Sequence, residues 1–347
     1  MNVDLAALWF VLLGVFLVGY AILDGFDLGV GILHPLARTE GERLVLMDSI
    51  GPFWDGNEVW LVVFGGALFA AFPAAYAAAM TALYLPMMLL LVGLVFRAVS
   101  IEFRHHAATP RSRRTWDFAF FGASTLVTFL FGLMVGNSIR GVPLGRDGDF
   151  LGSWRDLIGP YPILVGFFAV ATFAMHGATY LKLRTEGDLR GRVDRWARWA
   201  FGFFLVLFLA TTAATLAAVP GATANFRRQP WFWAIPVLNV LAIANIPRAL
   251  HWGRPLAAFV STGATIAAST ALFGLSLFPN LISSTVGRDF DLTVHSAASS
   301  HGSLLNLLIA AGLGMPFVLS YTAVTYWVFR KPTRPDPEGP ATASTPH

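Results

Sequence analysis

The chain contains no cysteine and few charged residues. Of its 347 residues only 13% are Asp, Glu, Lys or Arg, whereas soluble domains carry about 25%. The absence of cysteine excludes disulfides, thiolate metal sites, iron–sulfur clusters and cysteine nucleophiles. The low charge, together with 56% hydrophobic residues, excludes a water-soluble or a disordered chain. The motifs GxxxxGK[ST], HExxH and GxSxG are also missing, which argues against the usual ATPases, zinc proteases and serine hydrolases.

Long apolar segments predict an all-α integral membrane protein with about nine transmembrane helices. A membrane-spanning helix needs roughly 20 mostly apolar residues. The sequence could arrange the first eight spans as two four-helix groups with the ninth span at the periphery. The first segment lacks a basic start and a cleavage site, so we expect it to be retained as a span rather than removed as a signal peptide. The predicted spans are Leu5–Leu33, Trp54–Phe72, Tyr76–Val99, Asp117–Asn137, Pro160–Leu181, Trp196–Val219, Trp231–Ile246, Leu256–Phe278 and Leu304–Phe329.

The basic residues predict the orientation of the chain. Nine spans place 18 of the 24 Lys and Arg residues on one side of the membrane and six on the other. Because basic residues collect in cytoplasmic loops, the N-terminus should face outward and the C-terminus the cytoplasm of a bacterial inner membrane. The net charge of +4 therefore indicates topology rather than nucleic-acid binding. Residues 1–330 are predicted to form one polytopic membrane domain, and residues 331–347 a disordered cytoplasmic tail.

Ionisable residues within the predicted spans are the main candidates for function. Asp24 and Asp27 lie three residues apart near the end of the first span, and Asp55 and Glu58 have the same spacing at the start of the second. Arg97 lies near the end of the third span. The topology brings all five to the cytoplasmic side at one depth. Such groups cost several kcal/mol when they face lipid, so they should face protein or water.

Two interpretations of these five residues remain open from the residues alone. Several carboxylates with one arginine can pass protons or hold a buried ion-pair network. Alternatively, the acids suit the dipole of a helix start and Arg97 extends its head group to the interface. Gly25 and Gly29, four residues apart, predict a close approach of another helix backbone.

The histidines argue against a chain that holds several haems by itself. Axial haem ligation needs histidine or methionine within the spans. Seven of the eight histidines fall in loops, at span boundaries or in the tail, and His176 alone is well inside a span. A single buried histidine is more often a hydrogen-bonded packing residue than a ligand.

Several segments resemble one known family, subunit II of cytochrome bd quinol oxidase, which includes the cyanide-insensitive oxidases. The matching motifs run through almost the whole chain in the family's order. They are DGFDLGVG at Asp24–Gly31, SIGPFWDGNEVW at Ser49–Trp60, GGALFAAFP at Gly65–Pro73, Phe96-Arg97 with Glu102-Phe103-Arg104, HGATYL at His176–Leu181, LFPNLISST at Leu277–Thr285, LTVHSAASS at Leu292–Ser300, and Ser320-Tyr321-Thr322 with Tyr326 and Phe329-Arg330.

The resemblance implies a membrane complex that oxidises quinol and reduces oxygen to water. Two b-type haems, haem d and the quinol-oxidising loop would belong to subunit I, and none of these cofactors to this chain. Some relatives bind a structural quinone in subunit II. The implied partners are subunit I, small single-helix accessory subunits, membrane lipids and quinol, with no nucleic acid.

The resemblance also implies site residues. Asp27, Asp55 and Arg97 would line a proton route, with Asp24 and Glu58 beside it. Some relatives have a histidine where this chain has Phe53. Two rival functions remain: a secondary transporter that binds a coupling ion near the midplane, and a purely structural scaffold for a haem subunit.

Overall fold

The computed structural model describes residues 4–333 and is built almost entirely of helices. Asp4 caps the first helix by accepting the backbone N–H groups of Ala6 and Ala7. Prolines occupy the first turn of several later helices, where the missing N–H costs nothing. The helices are α1 (Leu5–Leu33), α2 (Glu40–Ile50), α3 (Trp54–Ala71), α4 (Pro73–Ala82), α5 (Tyr84–His105), α6 (Pro110–Arg140), α7 (Pro160–Arg184), α8 (Gly187–Ala218), α9 (Ala224–Arg228), α10 (Ala234–His251), α11 (Pro255–Leu277) and α12 (His301–Val328).

The predicted membrane spans agree with this order, and one boundary is wrong. Within residues 4–333, eight helices are long and apolar enough to cross a membrane, and the count reaches nine when the bent pair α3–α4 is taken as one broken span. The third span was predicted from Tyr76, but α4 bends away from α3 by 119° and the spanning helix α5 begins at Tyr84. Hydropathy missed the break because α4 is rich in alanine and as apolar as a span.

The helices form two groups that meet where α6 and α1 pack against α7. One group contains α1, α3, α5 and α6, and the other contains α7, α8, α10 and α11. Helix α12 packs lightly on α3 and α1, and the most apolar part of α12 is not buried within this chain. The contacts therefore agree with the predicted grouping of eight helices and a peripheral ninth.

Glycines allow a close helix crossing between α1 and α7. A Cβ atom added to Gly29 would collide with the carbonyl oxygen of Phe173 and lie 2.8 Å from the backbone nitrogen of Gly177. A Cβ on Gly177 would in turn meet the backbone of Gly29. The predicted close approach at Gly29 is confirmed, whereas Gly25 faces the ring of Phe173.

The loops at the far ends of α6 and α11 pack together. A short antiparallel pair joins β1 (Asn280–Ile282) to β2 (Leu292–Thr293), and Val142 bridges to Ser284. At the other end of the bundle, the backbone N–H of Thr333 donates to the carbonyl of Arg184. Residues 334–347, most of the predicted tail, lie outside the described residues.

Candidate functional site

Arg97 is the centre of a buried charged site between α1, α3 and α5. Its side chain is fully buried, and one terminal nitrogen lies 2.5 Å from Oδ1 of Asp24. The other terminal nitrogen donates to Oε1 of Glu58 at 2.8 Å. These charge-assisted bonds join three helices. The predicted meeting of Asp24, Glu58 and Arg97 at one depth is therefore present in the structure.

Asp27 lies beside this group but is held by a neutral partner. Its side chain is fully buried, and the amide of Asn57 donates to its Oδ2 at 2.7 Å. The same amide donates to the carbonyl of Leu23 at 3.1 Å, and the hydroxyl of Tyr326 donates to the amide oxygen at 3.1 Å. Asn57 thus fixes Asp27 against α1 and connects it to α12.

Several polar atoms of this site have no hydrogen-bond partner among the described residues. They are Oδ2 of Asp24, Oδ1 of Asp27, Nε of Arg97 and the hydroxyl of Tyr20. Buried polar atoms are rarely left unpaired in folded proteins. The group around Arg97 is therefore not a fully paired ionic network among the described residues.

Asp55 is placed differently from the other four predicted residues. It lies in the first turn of α3 with an exposed side chain, outside the hydrogen-bonded group around Arg97. Glu58, one turn later on the same helix, has 23% of its side chain exposed, whereas Asp24 and Arg97 are fully buried. Exposure therefore falls from Asp55 through Glu58 to Asp24.

The sequence analysis missed the residues that complete the site. Asn57 is uncharged and was passed over within the motif SIGPFWDGNEVW, and Tyr326 is 269 residues away from it along the chain. Phe53, the position where some relatives have histidine, is buried and stacks on Tyr326 with ring centroids 4.5 Å apart. Only the resemblance, which included Tyr326 among its motifs, gave any signal for that residue.

A second ionic cluster lies nearer the ends of α1, α5 and α6. His34 directly follows α1, at the predicted boundary of the first span, and it is buried and lies 2.8 Å from Oδ1 of Asp117. The guanidinium of Arg104 contacts the same carboxyl oxygen and donates to Glu40 at 3.0 Å. Arg104 follows Arg97 by seven residues, about 10 Å along a helix, so this cluster lies nearer the membrane surface than Arg97.

Helix α2 is tied to α8 at the same end of the bundle. Glu42 contacts the guanidinium of Arg192 and accepts the backbone N–H of Arg38 at 2.8 Å. Burial raises the pKa of Glu42, but the backbone bonds and the guanidinium lower it more, so this pKa lies below its usual value.

The buried histidine His176 already uses both ring nitrogens. Nδ1 lies 2.7 Å from the hydroxyl of Thr262 and Nε2 lies 3.0 Å from the carbonyl of Ile22. The ring also stacks on Phe259 at 4.7 Å. Among residues 4–333, no group of three His, Cys, Asp or Glu side chains is placed to hold a metal ion. His176 therefore has the contacts of a packing residue.

A mostly apolar cavity of about 300 Å³ lies at the opposite end of the bundle from Arg97. It is enclosed by α6, α7, α8, α10 and α11 and lined by Phe168, Phe208 and Phe273 among others. The hydroxyls of Tyr161 and Thr215 form a 2.8 Å hydrogen bond at its wall. This volume lies at the small end of the range for ligand sites, which are apolar with a few polar groups.

The chain matches one protein family along nearly its whole length. The model for cytochrome bd terminal oxidase subunit II matches residues 5–329. Cytochrome bd-I ubiquinol oxidase subunit 2 of Escherichia coli (strain K12) is 33% identical over 363 residues, covering 95% of this chain and 96% of the relative. Cytochrome bd ubiquinol oxidase subunit 2 of Bacillus subtilis (strain 168) is 35% identical, covering 93% and 95%.

A solved structure shares the fold. A chain of the bd oxidase from Geobacillus thermodenitrificans superimposes with a TM-score of 0.78 at 18% identity, covering 94% of this chain and 99% of that one. At this identity the similarity shows the arrangement of helices rather than the chemistry of the site.

Proposed function

Because this chain belongs to the cytochrome bd terminal oxidase subunit II family, we propose that it is the haem-free partner of subunit I and helps to deliver protons for the reduction of oxygen to water. It is a subunit of a quinol oxidase complex and a multi-pass protein of the inner membrane. Subunit I would hold the haems at which oxygen is reduced. Orientation with the C-terminus in the cytoplasm would place the acidic site on the side from which protons are drawn.

The proposal rests on one observation, the excess of carboxyl groups around Arg97. Asp24 and Glu58 share the guanidinium of Arg97, and the neighbouring Asp27 is held only by the neutral amide of Asn57. A lone charge is costly in a buried site, and a group of three acids and one base can bind a proton without creating a further unpaired charge. Binding and release of a proton then changes the charge of the group without leaving Arg97 unpaired.

The order of exposure supports a route from the surface inward. Asp55 would receive protons at the exposed start of α3, and Glu58 lies one helical turn further along the same helix. Arg97 then joins Glu58 to Asp24, and Asp27 lies beside Asp24, one turn closer to the Leu33 end of α1. Reduction of one oxygen molecule to water consumes four protons, so such a route would limit turnover when a step is removed.

Replacing Glu58 by glutamine tests this route. The amide keeps an acceptor for Arg97 but cannot carry a proton. Oxygen consumption by the assembled complex should fall while its haem content stays normal. Glu102→Gln is the matched control, since Glu102 is an exposed acid of α5 and should leave turnover unchanged. Equal rates for both variants would reject proton delivery through Glu58. Loss of haem together with activity would favour the scaffold role instead.

The haem-free role is supported by the occupied nitrogens of His176. The chain expressed alone should insert in the membrane and show no haem absorbance, and a reproducible b- or d-type spectrum would contradict this.

Stabilisation of subunit I is tested by omitting the chain, which should lower the haem content of subunit I. A haem spectrum of the purified complex also separates an oxidase from the rival transporter. The binding of small single-helix accessory subunits to the complex stays a prediction.

We also propose that the apolar cavity holds a quinone head group. The phenylalanine walls suit a flat ring, and the paired hydroxyls of Tyr161 and Thr215 can donate to a quinone oxygen. A Tyr161→Phe, Thr215→Val double variant should reduce the quinone that copurifies with the complex. Thr125→Val removes a hydroxyl of α6 that does not line the cavity and serves as the control. Unchanged quinone content in the double variant would reject this site.

A further inference from the structure

Two arginines flank one exposed tryptophan at the turn between α10 and α11. The guanidinium carbon of Arg248 lies 4.8 Å from the centre of the Trp252 ring, and that of Arg254 lies 5.5 Å from it. The two charges can therefore be no farther apart than the sum of these distances. All three side chains are exposed, with 55% of Trp252 accessible.

The turn itself is fixed by backbone and side-chain hydrogen bonds. Gly253 has φ of +64°, a left-handed conformation that favours glycine, and it lets the N–H of Arg254 donate back to the carbonyl of Ala249 at 2.9 Å. Nε of Arg248 donates to the side-chain oxygen of Asn245 at 2.9 Å, and the amide of Asn245 donates to Ser261 on α11 at 2.8 Å. The side chain of Arg248 and the backbone of Arg254 are therefore held in place before any ligand binds.

Among residues 4–333, no carboxylate pairs with either of these arginines. Residues 195–288 contain neither Asp nor Glu, and among the described residues no ion pair involves Arg248 or Arg254. Arg104 differs from these two arginines because it forms ion pairs with both Glu40 and Asp117 at the ends of neighbouring helices. The α10–α11 turn thus carries a pair of positive charges without an anionic partner in the part of the chain that the structure describes.

The turn joins the ends of two helices that are long and apolar enough to span a membrane, so we expect it at the level of the lipid head groups. Tryptophan is enriched at this level because its ring is apolar and its N–H is polar. Directly beyond the turn, Leu256 and Val260 lie one helical turn apart on α11 and are 63% and 60% exposed. These two side chains offer an apolar surface next to the arginines, as an acyl chain below a phosphate would require.

We propose that Arg248, Trp252 and Arg254 bind the phosphate of an anionic phospholipid, whose acyl chain lies along Leu256 and Val260. Guanidinium groups bind phosphate through two parallel hydrogen bonds, and two of them give a phosphodiester four donors. A lipid with a net negative charge is favoured over a zwitterionic one, which would bring its own cation to the same arginines. The site is independent of the proton route around Arg97.

Lipid binding to the purified complex tests the proposal. The complex is delipidated, resupplied with phosphatidylglycerol or phosphatidylcholine, and analysed by native mass spectrometry for bound lipid. An arginine near a membrane surface contributes about fivefold in affinity for anionic lipid, so Arg248→Gln with Arg254→Gln should weaken phosphatidylglycerol binding at this site by roughly 25-fold. Phosphatidylcholine should bind weakly to both the unmodified complex and the variants.

Two controls separate this site from general charge effects. Arg227→Gln with Arg228→Gln removes the same charge from the same acid-free segment, at the opposite end of the bundle, and should leave the bound lipid unchanged. Trp252→Leu leaves the net charge unchanged but removes the ring between the arginines, and should weaken binding about two- to fivefold. This second variant also provides the test if the double glutamine variant does not assemble.

The outcomes are distinct. Equal losses in the two double variants would show a nonspecific charge effect and overturn the site, as would unchanged binding in the Arg248, Arg254 variant or in Trp252→Leu. Displacement of phosphatidylglycerol by inorganic phosphate alone, in the unmodified complex, would show that the acyl chain contributes nothing and would overturn a lipid site in favour of a free anion.

Discussion

Replacing Arg97 by glutamine should destabilise the complex by about 3–5 kcal/mol, the usual cost of removing one partner of a buried ion pair. The fully buried Asp24 and the largely buried Glu58 would both lose their cation. Glutamine can donate one hydrogen bond to either acid but supplies no charge. The two carboxyl groups would then have to bind protons or repel each other in a site with little access to water.

The cost of leaving buried charges unpaired can be separated from the loss of the hydrogen bonds and packing of Arg97. At an effective dielectric constant of about 20, opposite charges about 4 Å apart attract by roughly 4 kcal/mol, most of which offsets their removal from water. A triple variant, Arg97→Gln with Asp24→Asn and Glu58→Gln, removes all three charges and keeps groups of similar size. It should regain most of the lost stability, because no unpaired buried charge remains.

The measurement is thermal unfolding of the detergent-solubilised complex, followed by loss of its native haem spectrum. A single variant within about 1 kcal/mol of the parent would refute the reasoning, since this is the contribution expected of an exposed pair. A triple variant as unstable as the single one would show that packing, rather than charge, holds α1, α3 and α5 together.

Three further predictions follow from individual residues. Asp55→Asn should slow oxygen reduction, most at high pH where protons are scarce, with normal assembly and haem content, whereas Asp55→Glu should keep part of the rate. Gly29→Ala should cost about 3 kcal/mol or more in thermal unfolding, because the added methyl group meets backbone of α7. Stability contributed by Glu42 is fully present above its unfolded pKa of about 4.3 and is lost as pH falls through its lowered folded pKa. Glu42→Gln should therefore flatten the acid limb of the unfolding profile.

Each of these variants has its own control. Asparagine caps a helix about as well as aspartate, so unchanged turnover at every pH would leave Asp55 as a cap alone. Gly14→Ala on the same helix meets nothing within 4 Å and should be close to neutral, and an equal loss there would remove the argument from helix crossing. An unaltered acid limb in Glu42→Gln would show that other carboxyl groups set it.

Much of the fold could be predicted from hydropathy because membrane spans have a simple physical requirement. The bounds of α1 agree with the prediction, since an apolar run begins directly after Asp4, which caps the helix. The start of the third span could not be predicted, because Pro73–Ala82 is apolar whether it crosses the membrane or turns aside. Hydropathy measures the transfer of side chains from water and contains no information on helix direction.

The candidate site was predictable in its charges and not in its neutral groups. The spacing of Asp24 and Asp27 and the depth of Arg97 follow from helix periodicity and topology. Asn57 carries no charge, and its bond to Tyr326 depends on how α12 packs, so no local pattern indicates it. His34 and Asp117 were assigned to the ends of separate spans, and their 2.8 Å contact arises only when α1 and α6 meet.

The contact between Tyr326 and Asn57 has a consequence for biosynthesis. Asn57 holds Asp27 in place from α3, but the hydroxyl that satisfies its amide oxygen belongs to α12, which is synthesised hundreds of residues later. Until α12 inserts, Asn57 lacks this bond and Phe53 lacks the ring on which it stacks. The acidic site is therefore complete only after α12 has been synthesised. A nascent chain that stops before α12 would contain Asp27 and Asn57 but would lack the hydroxyl and the ring of Tyr326.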